Sequence, residues 1–206
     1  VLAVKSVLVD LNDAAATLPN SYNSVENITP LETPLSSTIN GAALATPVFL
    51  SLYAENDLRL DKYFAETDEK GFRKNKKAGS NNYLCTFRVG EIYLTAAEAA
   101  ARLGELSQAR TRLLELMRKR YAPEAYEAKS VVVNAMDKEA LVQEILDERA
   151  RELAFEGHRW FDLRRSTRPR LEKVLDGTRY VLEENDARYT LAIPKEAIEA
   201  NLGLLN

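Results

Sequence analysis

Two neighbouring segments repeat apolar residues with the period of an amphipathic helix. In residues 91–104 the apolar face consists of Ile92, Ala96, Ala99 and Leu103, and Gly104 follows where a left-handed residue often ends a helix. In residues 107–120 it consists of Ala109, Leu113, Leu116 and Met117, with Ser107 as a candidate N-cap. The pattern predicts an αα-hairpin whose alanines allow close helix packing, typical of tetratricopeptide-type repeats.

The sequence before this hairpin predicts one helix, followed by loops. Val4, Leu8 and Leu11 have helical spacing, so a first helix is expected to end before Pro19. Residues 21–47 are rich in Ser, Thr, Asn and Pro, which indicates a long loop. Residues 48–64 predict a short extended piece and then a short helix. Residues 65–82 run from acidic to basic and predict a solvated surface loop.

The sequence after the hairpin predicts a third helix and a small sheet. Asp137 is expected to cap a helix that continues to about residue 165, with a bend or break at Gly157. Apolar and polar residues alternate on both sides of residues 183–186, which predicts a β-hairpin, and Pro194 opens a last helical turn. The predicted fold is mainly α, with tetratricopeptide-like helical hairpins, long loops and a small C-terminal β-hairpin, in one domain spanning 1–206.

Composition excludes several classes of function. The chain has 206 residues, of which 46% are hydrophobic and 29% charged, as in soluble globular proteins. Its formal net charge of -3 argues against general nucleic-acid binding, which needs a basic excess. Cys85 is the single cysteine, so neither an intrachain disulfide nor a thiolate metal cluster can form. We predict no metal site and no cofactor.

The stretch FEGHRWFDLRR, residues 155–165, contains the only histidine and the only tryptophan. Glu156, His158 and Asp162 are the residue types of an acid, a base and an orienting group. However, Glu156 and His158 are two positions apart and occupy different helix faces, and no second histidine completes a di-iron pattern. A G-x-S-x-G nucleophile signature is also absent from the sequence. A structural role is therefore favoured over catalysis.

Three carboxylates form a column on the same predicted helix, because Glu148, Glu152 and Glu156 are spaced four residues apart. Like charges at this spacing need counter-charges, for which Arg149, Arg151, Arg159 and Arg88 are the candidates. Two carboxylates on adjacent turns of one helix cannot flank a sugar as a glycosidase requires. The spacing therefore favours structural ion pairs.

Basic and aromatic residues close this helix. The arginines are Arg159, Arg164, Arg165, Arg168 and Arg170. Cations are stabilised at the negative end of a helix dipole, and recognition of a phosphate is the alternative interpretation. Trp160 and Phe161 continue an apolar face from Leu153 and are predicted to be core residues.

Four segments, in this order, resemble the C-terminal part of the SusD/RagB family of outer-membrane nutrient-binding lipoproteins. They are YAENDLRLDKYF, FRVGEIYLTAAEAAARLGE, ILDERARELAFEGHRWFDLRR and YTLAIPKEAIEANLGL. The resemblance covers about residues 48–206, and residues 1–47 match only loosely. It implies that ILDERARELAFEGHRWFDLRR contains a structural signature, carried by Glu148, Arg149, Glu152, Phe155, Glu156, Gly157, His158, Arg159, Trp160, Asp162 and Arg164.

The resemblance also implies a function. Members of this family capture a nutrient at the cell surface, usually a glycan, without hydrolysing it, and cover a SusC-type TonB-dependent transporter. An N-terminal lipidated cysteine anchors them to the outer membrane; Cys85 is internal, so such an anchor would lie outside this sequence. Family members are usually longer, and the chain is therefore expected to be either a fragment or a short member.

Two other functions stay open at this point, namely a helical-repeat adaptor that binds only protein and an enzyme that uses Glu156 and His158. If a glycan is bound, its contacts are expected from the two loop stretches, because their aromatic residues lie outside the helical faces among polar residues. The predicted contacts are Tyr22, Asn23, Phe72, Arg73 and Tyr83. The alternative is that Tyr22 and Tyr83 simply cover the core.

Overall fold

Helices dominate the first of the two units into which the chain divides, residues 1–158. The computed structural model describes residues 1–31, 44–77, 85–175 and 177–201. The helices of this unit are α1 (Pro47–Leu50), α2 (Arg59–Tyr63), α3 (Val89–Leu103), α4 (Leu106–Met117), α5 (Pro123–Ala135) and α6 (Lys138–Glu152). No helix in the described ranges is both long and apolar enough to cross a bilayer.

Helices α3 and α4 form the predicted αα-hairpin, and α3 also packs against α6. The apolar face predicted for α4 is confirmed, because all four of its residues are fully buried. Gly104 ends α3 with φ of 85°, as expected. The face predicted for α3 is wrong in phase: Ala99 and Leu103 are exposed, whereas Leu94 and Ala97 are buried. An alanine-rich helix is apolar on most sides, so the periodicity alone does not fix which side faces the core.

Residues 1–20 are not helical, so the predicted first helix is wrong. Their backbone bonds to distant parts of the chain. The Val9 amide donates to Glu26 Oε1 at 2.9 Å, and the Leu11 amide donates to the Lys119 carbonyl at 2.9 Å. Both bonds join residues that are far apart in sequence. Tertiary hydrogen bonds therefore determine the conformation of this segment, and its local helical spacing does not.

Short strands replace much of the sequence predicted as loop. The strands are β1 (Asn27–Leu31), β2 (Leu44–Ala45), β3 (Phe64–Thr67), β4 (Arg73–Asn75) and β5 (Cys85–Arg88). β1 pairs with β5, and β2, β4 and β3 form an antiparallel sheet in that order. Gly71, with φ of 81°, lies between β3 and β4. The solvated surface loop predicted for residues 65–82 is therefore wrong for residues 73–77, where Arg73, Asn75 and Lys77 alternate into the interior, whereas residues 66–70 are exposed as predicted.

The helix capped by Asp137 is shorter than predicted. Asp137 accepts a hydrogen bond from the Ala140 amide at 2.9 Å, which confirms the cap. However, α6 ends at Glu152, before the expected break. Phe155 and Gly157 then take left-handed conformations with φ of 60° and 88°. Phe155 packs edge-to-face against Phe49 and Phe64, in a second aromatic core of this unit.

The second unit, residues 159–206, contains the small sheet. It comprises α7 (Arg159–Arg165), β6 (Leu171–Leu175), β7 (Thr178–Leu182), a 3-10 turn (Ala187–Tyr189) and α8 (Lys195–Ala200). The C-terminal β-hairpin is confirmed, but its predicted position is wrong. β6 and β7 pair with each other, next to Gly177 at φ of 75°, and residues 183–186 follow the second strand. α8 begins after Pro194, as expected.

Candidate functional site

Ten charged side chains form a buried charge cluster in the first unit. All are buried, and five are acidic and five basic, so their formal charges cancel at neutral pH. The acids are Glu26, Asp57, Glu148, Glu152 and Glu156, and the bases are Arg59, Lys77, Arg88, Arg120 and Arg151. Buried charges are tolerated only when they are paired and hydrogen-bonded, and this cluster meets both conditions.

Glu152 is the centre of the buried charge cluster. Arg88 Nη1 donates to its carboxylate at 2.6 Å, Arg120 Nε at 2.9 Å and Arg59 Nη1 at 3.1 Å. Burial alone would raise the pKa of Glu152, but the charges of the three arginines outweigh it and hold that pKa well below its usual range. The three arginines come from separate parts of the chain, so one carboxylate joins them all.

The other two carboxylates of the column are held in the same way. Arg59 and Arg151 both lie 2.7 Å from Glu148, and Arg88 Nη2 lies 2.9 Å from Glu156. For each carboxylate, burial is outweighed by the neighbouring cations, and the pKa falls to about 2. Both groups are therefore ionised at neutral pH and fixed by their partners.

Lys77 reaches the cluster from just beyond β4. Its ammonium donates to the carbonyl oxygens of Glu152 and Ala154, both at 3.0 Å, and to the Glu156 carboxylate. It also lies 4.5 Å from the centre of the Tyr63 ring. Burial lowers the pKa of Lys77 to about 8 despite Glu156, so it is still mostly protonated at neutral pH. The end of the β3–β4 hairpin is thus tied to the end of α6.

The buried charge cluster passes directly over Gly90 in α3 and leaves no room for a side chain at that position. A Cβ atom there would lie 2.6 Å from Arg88 Nη1, 3.0 Å from Glu26 Oε2 and 3.1 Å from Glu152 Oε1. Glu26 itself pairs with Arg120 at 2.6 Å and with Arg88 at 3.0 Å. Glycine at this position lets the carboxylate of Glu26 approach the helix backbone.

The structure brings together some of the predicted signature residues and separates others. Arg88 and Arg151 pair with the carboxylate column, as the sequence allowed, whereas Arg59 and Arg120 were not foreseen. Arg149 lies outside the column and donates to Thr95 Oγ1 at 3.3 Å. The unforeseen pairs join positions 93 and 32 residues apart, and no local pattern in the sequence marks such partners.

His158 lies at the edge of the first unit. Its side chain is 26% exposed, and Nδ1 lies 3.6 Å from Glu91 Oε1. Glu156, two residues earlier, points into the buried charge cluster instead. The two residues that an acid–base mechanism would combine therefore have different partners.

In the second unit, α7 buries Asp162 and Leu163. Trp160 is half-buried and stacks on Tyr189, with 5.2 Å between ring centres and 11° between planes. Phe161 is 61% exposed, so its predicted core position is wrong. Successive helix residues point about 100° apart, and the buried side of α7 lies at Asp162 and Leu163, which turns Phe161 towards solvent. Arg159 is exposed and Arg164 is half-buried.

The predicted ligand contacts lie in different surroundings. Tyr22 is 47% exposed, Asn23 is exposed and Phe72 is half-buried. Arg73 is buried and donates to Asp61 Oδ1 at 2.8 Å. Tyr83 lies outside the described residues.

One hydrogen bond joins the segments next to these contacts. Asn20 Nδ2 donates to the Lys77 carbonyl at 2.7 Å, which joins the segment before Tyr22 to the end of the β3–β4 hairpin. Elsewhere in this unit, a cleft of about 340 Å³ opens between α3 and α6, lined by Arg102, Lys138, Glu139 and Val142. Within the described ranges, no group of three or more acidic, histidine or cysteine side chains is placed to hold a metal ion.

Comparison with known proteins identifies the family. The SusD family model matches residues 42–204. The chain belongs to the SusD family. This confirms the resemblance drawn from the four sequence segments.

A solved structure shares the fold. It is described as a SusD-like carbohydrate binding protein from Bacteroides vulgatus ATCC 8482, and it is 19% identical to this chain with a TM-score of 0.67. The match covers 98% of this chain and 53% of that chain, so this chain spans about half the length of its structural relative. The mainly helical fold is thereby supported. A search of curated proteins finds no match.

Proposed function

We propose that this SusD-family chain captures a glycan at the cell surface, does not hydrolyse it, and passes it to a SusC-type TonB-dependent transporter. The observation that carries the proposal is the family match over residues 42–204. The likeness to a protein described as carbohydrate-binding supports glycan as the class of nutrient. In this proposal the protein acts as a surface lipoprotein of the outer membrane.

The proposal that the chain does not hydrolyse the glycan is supported by the surroundings of Glu156 and His158. A general acid or base must exchange a proton near the working pH. Glu156 is held by Arg88 and Lys77 with a pKa of about 2, so it stays ionised and occupied. His158 faces Glu91 rather than Glu156. The signature stretch therefore has the properties of a scaffold.

We assign the glycan contacts to Tyr22, Asn23, Phe72, Arg73 and Tyr83. The assignment is supported by the exposed ring of Tyr22 and by the Asn20–Lys77 hydrogen bond, which joins the two loop stretches. Arg73, which is already bonded to Asp61, would act by positioning its neighbour Phe72. An aromatic face with polar neighbours is what a sugar ring requires.

Isothermal titration against a panel of neutral oligosaccharides tests this assignment. Tyr22→Ala, Phe72→Ala and Tyr83→Ala should each weaken binding by about 5- to 30-fold, as expected for the loss of an aromatic contact worth about 1–2 kcal/mol. Tyr180→Ala is the matched control, because Tyr180 is 56% exposed on β7 in the other unit. Unchanged affinity in all three variants would reject the contact residues, and a wild-type protein that binds no glycan would reject glycan capture.

The transporter partnership needs a separate measurement. Affinity purification of the protein from outer membranes of its native cells should recover a SusC-type transporter in stoichiometric amount. Recovery of another protein, together with no glycan binding, would instead favour the adaptor function that the α3–α4 hairpin could also support. Protease treatment of intact cells, followed by immunodetection, tests the surface location.

A further inference from the structure

We propose that the exposed face of α7 binds an acidic glycan, one whose sugars carry carboxylate or sulfate groups. The proposal rests on the glycan capture proposed above and adds a class of ligand and a second surface, which lies entirely in the unit of residues 159–206. The feature that carries it is an exposed aromatic ring near two guanidinium groups, those of Arg164 and Arg168, that have no carboxylate partner among the described residues.

The ring and the guanidinium groups share one side of the helix. Asp162 and Leu163 face inward. Phe161 points outward and is 61% exposed. Residues three and four positions apart on a helix are neighbours on its surface, so Arg164 and Arg165 lie on either side of Phe161. The exposed face of α7 therefore presents the Phe161 ring between the side chains of Arg164 and Arg165.

The two flanking arginines differ in their partners. Arg165 is fixed by Asp162, with Nη2 2.7 Å and Nε 3.0 Å from Oδ1. Arg164 pairs with no carboxylate of the described part of the chain. Arg168 Nε donates to the Arg164 carbonyl at 3.0 Å, which holds the Arg168 side chain against the last turn of α7, and Arg168 likewise has no carboxylate partner among the described residues.

The backbone holds this arrangement. Arg168 has φ of 42°, a left-handed conformation that is uncommon for a residue other than glycine. Its amide donates to the Leu163 carbonyl at 3.0 Å, and its carbonyl accepts from the Asn185 amide at 2.9 Å. Bonds on both sides thus fix the conformation and position the Arg168 side chain next to α7. A left-handed residue just after a helix is a common way for the helix to end, and here it sets the position of Arg168.

The chemistry of the face matches an acidic sugar chain. A guanidinium group binds a carboxylate or sulfate through two parallel hydrogen bonds, and such charge-assisted bonds are strong. An aromatic ring offers its face to the apolar side of a sugar ring. Other arginines of the same unit are already paired with a carboxylate: Arg179 and Arg170 both form ion pairs with Glu172. Arg164 and Arg168, which have no carboxylate partner in the described ranges, would pair with an anionic group of the glycan.

Isothermal titration of the whole chain with defined oligosaccharides tests the proposal. The probes are oligogalacturonate, a chondroitin sulfate oligosaccharide and a neutral cello-oligosaccharide of equal length. The double variant Arg164→Gln/Arg168→Gln should weaken binding of the acidic probes by about 10- to 100-fold and flatten its dependence on salt between about 50 and 200 mM. Phe161→Ala should weaken it by about 5- to 10-fold.

The matched control uses the hairpin of the same unit. Arg179→Gln and Tyr180→Ala remove an arginine and an exposed ring outside the proposed face, and should leave the affinity within about twofold. Phe161, Arg179 and Tyr180 are exposed, and Arg164 and Arg168 are half-buried without an ion pair in the described ranges, so all variants should melt close to the wild-type temperature. The single variant Arg168→Gln provides the same test if the double variant does not fold.

Several results would overturn the proposal. Equal affinity for neutral and acidic probes, or equal losses in the hairpin controls, would reject the acidic-glycan site and leave glycan capture standing. Binding of phosphatidylglycerol vesicles that depends on Arg164 and Arg168, without binding of acidic oligosaccharides, would reassign the face to an anionic membrane. No binding of any oligosaccharide would reject glycan capture itself.

Discussion

Glu152→Gln is the sharpest test of the buried charge cluster. The substitution keeps the size of the side chain but removes the negative charge on which Arg59, Arg88 and Arg120 converge. The cluster would then hold five basic and four acidic groups, with an uncompensated positive charge in the interior. The amide nitrogen would also place a donor against arginine donors.

The expected loss of stability follows from burial. All three arginines and Glu152 are fully buried, so water cannot replace the missing charge. Removing one partner of a buried ion pair typically costs about 3–5 kcal/mol. Domains are usually stable by about 5–15 kcal/mol, so the variant should lose a large share of its free energy of unfolding.

The free energy of unfolding should be measured by urea titration followed by far-UV circular dichroism. Trp160 fluorescence is a poor probe for this purpose, because Trp160 belongs to the other unit. Glu127→Gln is the matched control: Glu127 is exposed on α5, and its substitution should change stability by less than about 0.5 kcal/mol.

A small effect would refute the reasoning. If Glu152→Gln cost less than about 1 kcal/mol with an unchanged dependence on urea, the charge on Glu152 would contribute little to the fold. A double variant, Glu152→Gln with Arg120→Gln, restores neutrality. If the effects of the two substitutions on the free energy of unfolding were simply additive, the Glu152–Arg120 ion pair would not stabilise the fold as proposed.

Three further predictions concern the same architecture. The pKa of Glu148 and Glu156 is near 2 in the folded chain and near 4.5 when unfolded, so their contribution to stability is present above pH 4.5 and lost as the pH falls towards 2; a urea midpoint that is constant over this range would contradict it. Gly90→Ala should cost about 1–3 kcal/mol by urea titration, because the new Cβ clashes with the fixed Arg88 guanidinium; a variant as stable as wild type would show that the cluster can shift. Trp160→Ala should lower the melting temperature of the C-terminal unit through loss of the Tyr189 stack, and Trp160→Phe should recover most of it; equal losses in both would exclude the stack as the cause.

The sequence predicted the helical part of the fold well where local signals agree. In α4 the apolar face has polar residues on both sides, and all four predicted core positions are buried. In α3 the alanines blur the phase, and the predicted face is displaced. Gly104 and Asp137 were identified as helix-end residues because their conformational and capping properties are local.

The sequence failed where distant partners decide the structure. The N-terminal segment has helical spacing, but its amides at Val9 and Leu11 bond to Glu26 and to the Lys119 carbonyl. Lys77 was placed in a solvated loop, since a basic run is normally exposed, yet its ammonium is buried against the end of α6. The burial of the Lys77 ammonium depends on acidic residues far along the chain, so the residues next to Lys77 in the sequence cannot predict it.

The candidate site was only partly accessible from the sequence. The column of Glu148, Glu152 and Glu156 follows from helical spacing, and the need for counter-charges follows from like-charge repulsion. The identity of Arg59 and Arg120 does not follow, because their pairing requires the assembled fold. The prediction of Phe161 as a core residue follows from the apolar face continued from Leu153, but α7 buries Asp162 and Leu163 instead and leaves Phe161 exposed.

The spread of the buried charge cluster along the chain has a kinetic consequence. Its longest-range bonds join positions 62 to 94 residues apart, as in Arg88–Glu26 and Arg120–Glu26, so loops of that length must close before those bonds can form. Contacts with such separations are expected to form after the local α3–α4 hairpin and after the main folding barrier. The cluster should therefore slow unfolding while leaving the folding rate nearly unchanged. Its ion pairs would form last during folding and would have to break first during unfolding.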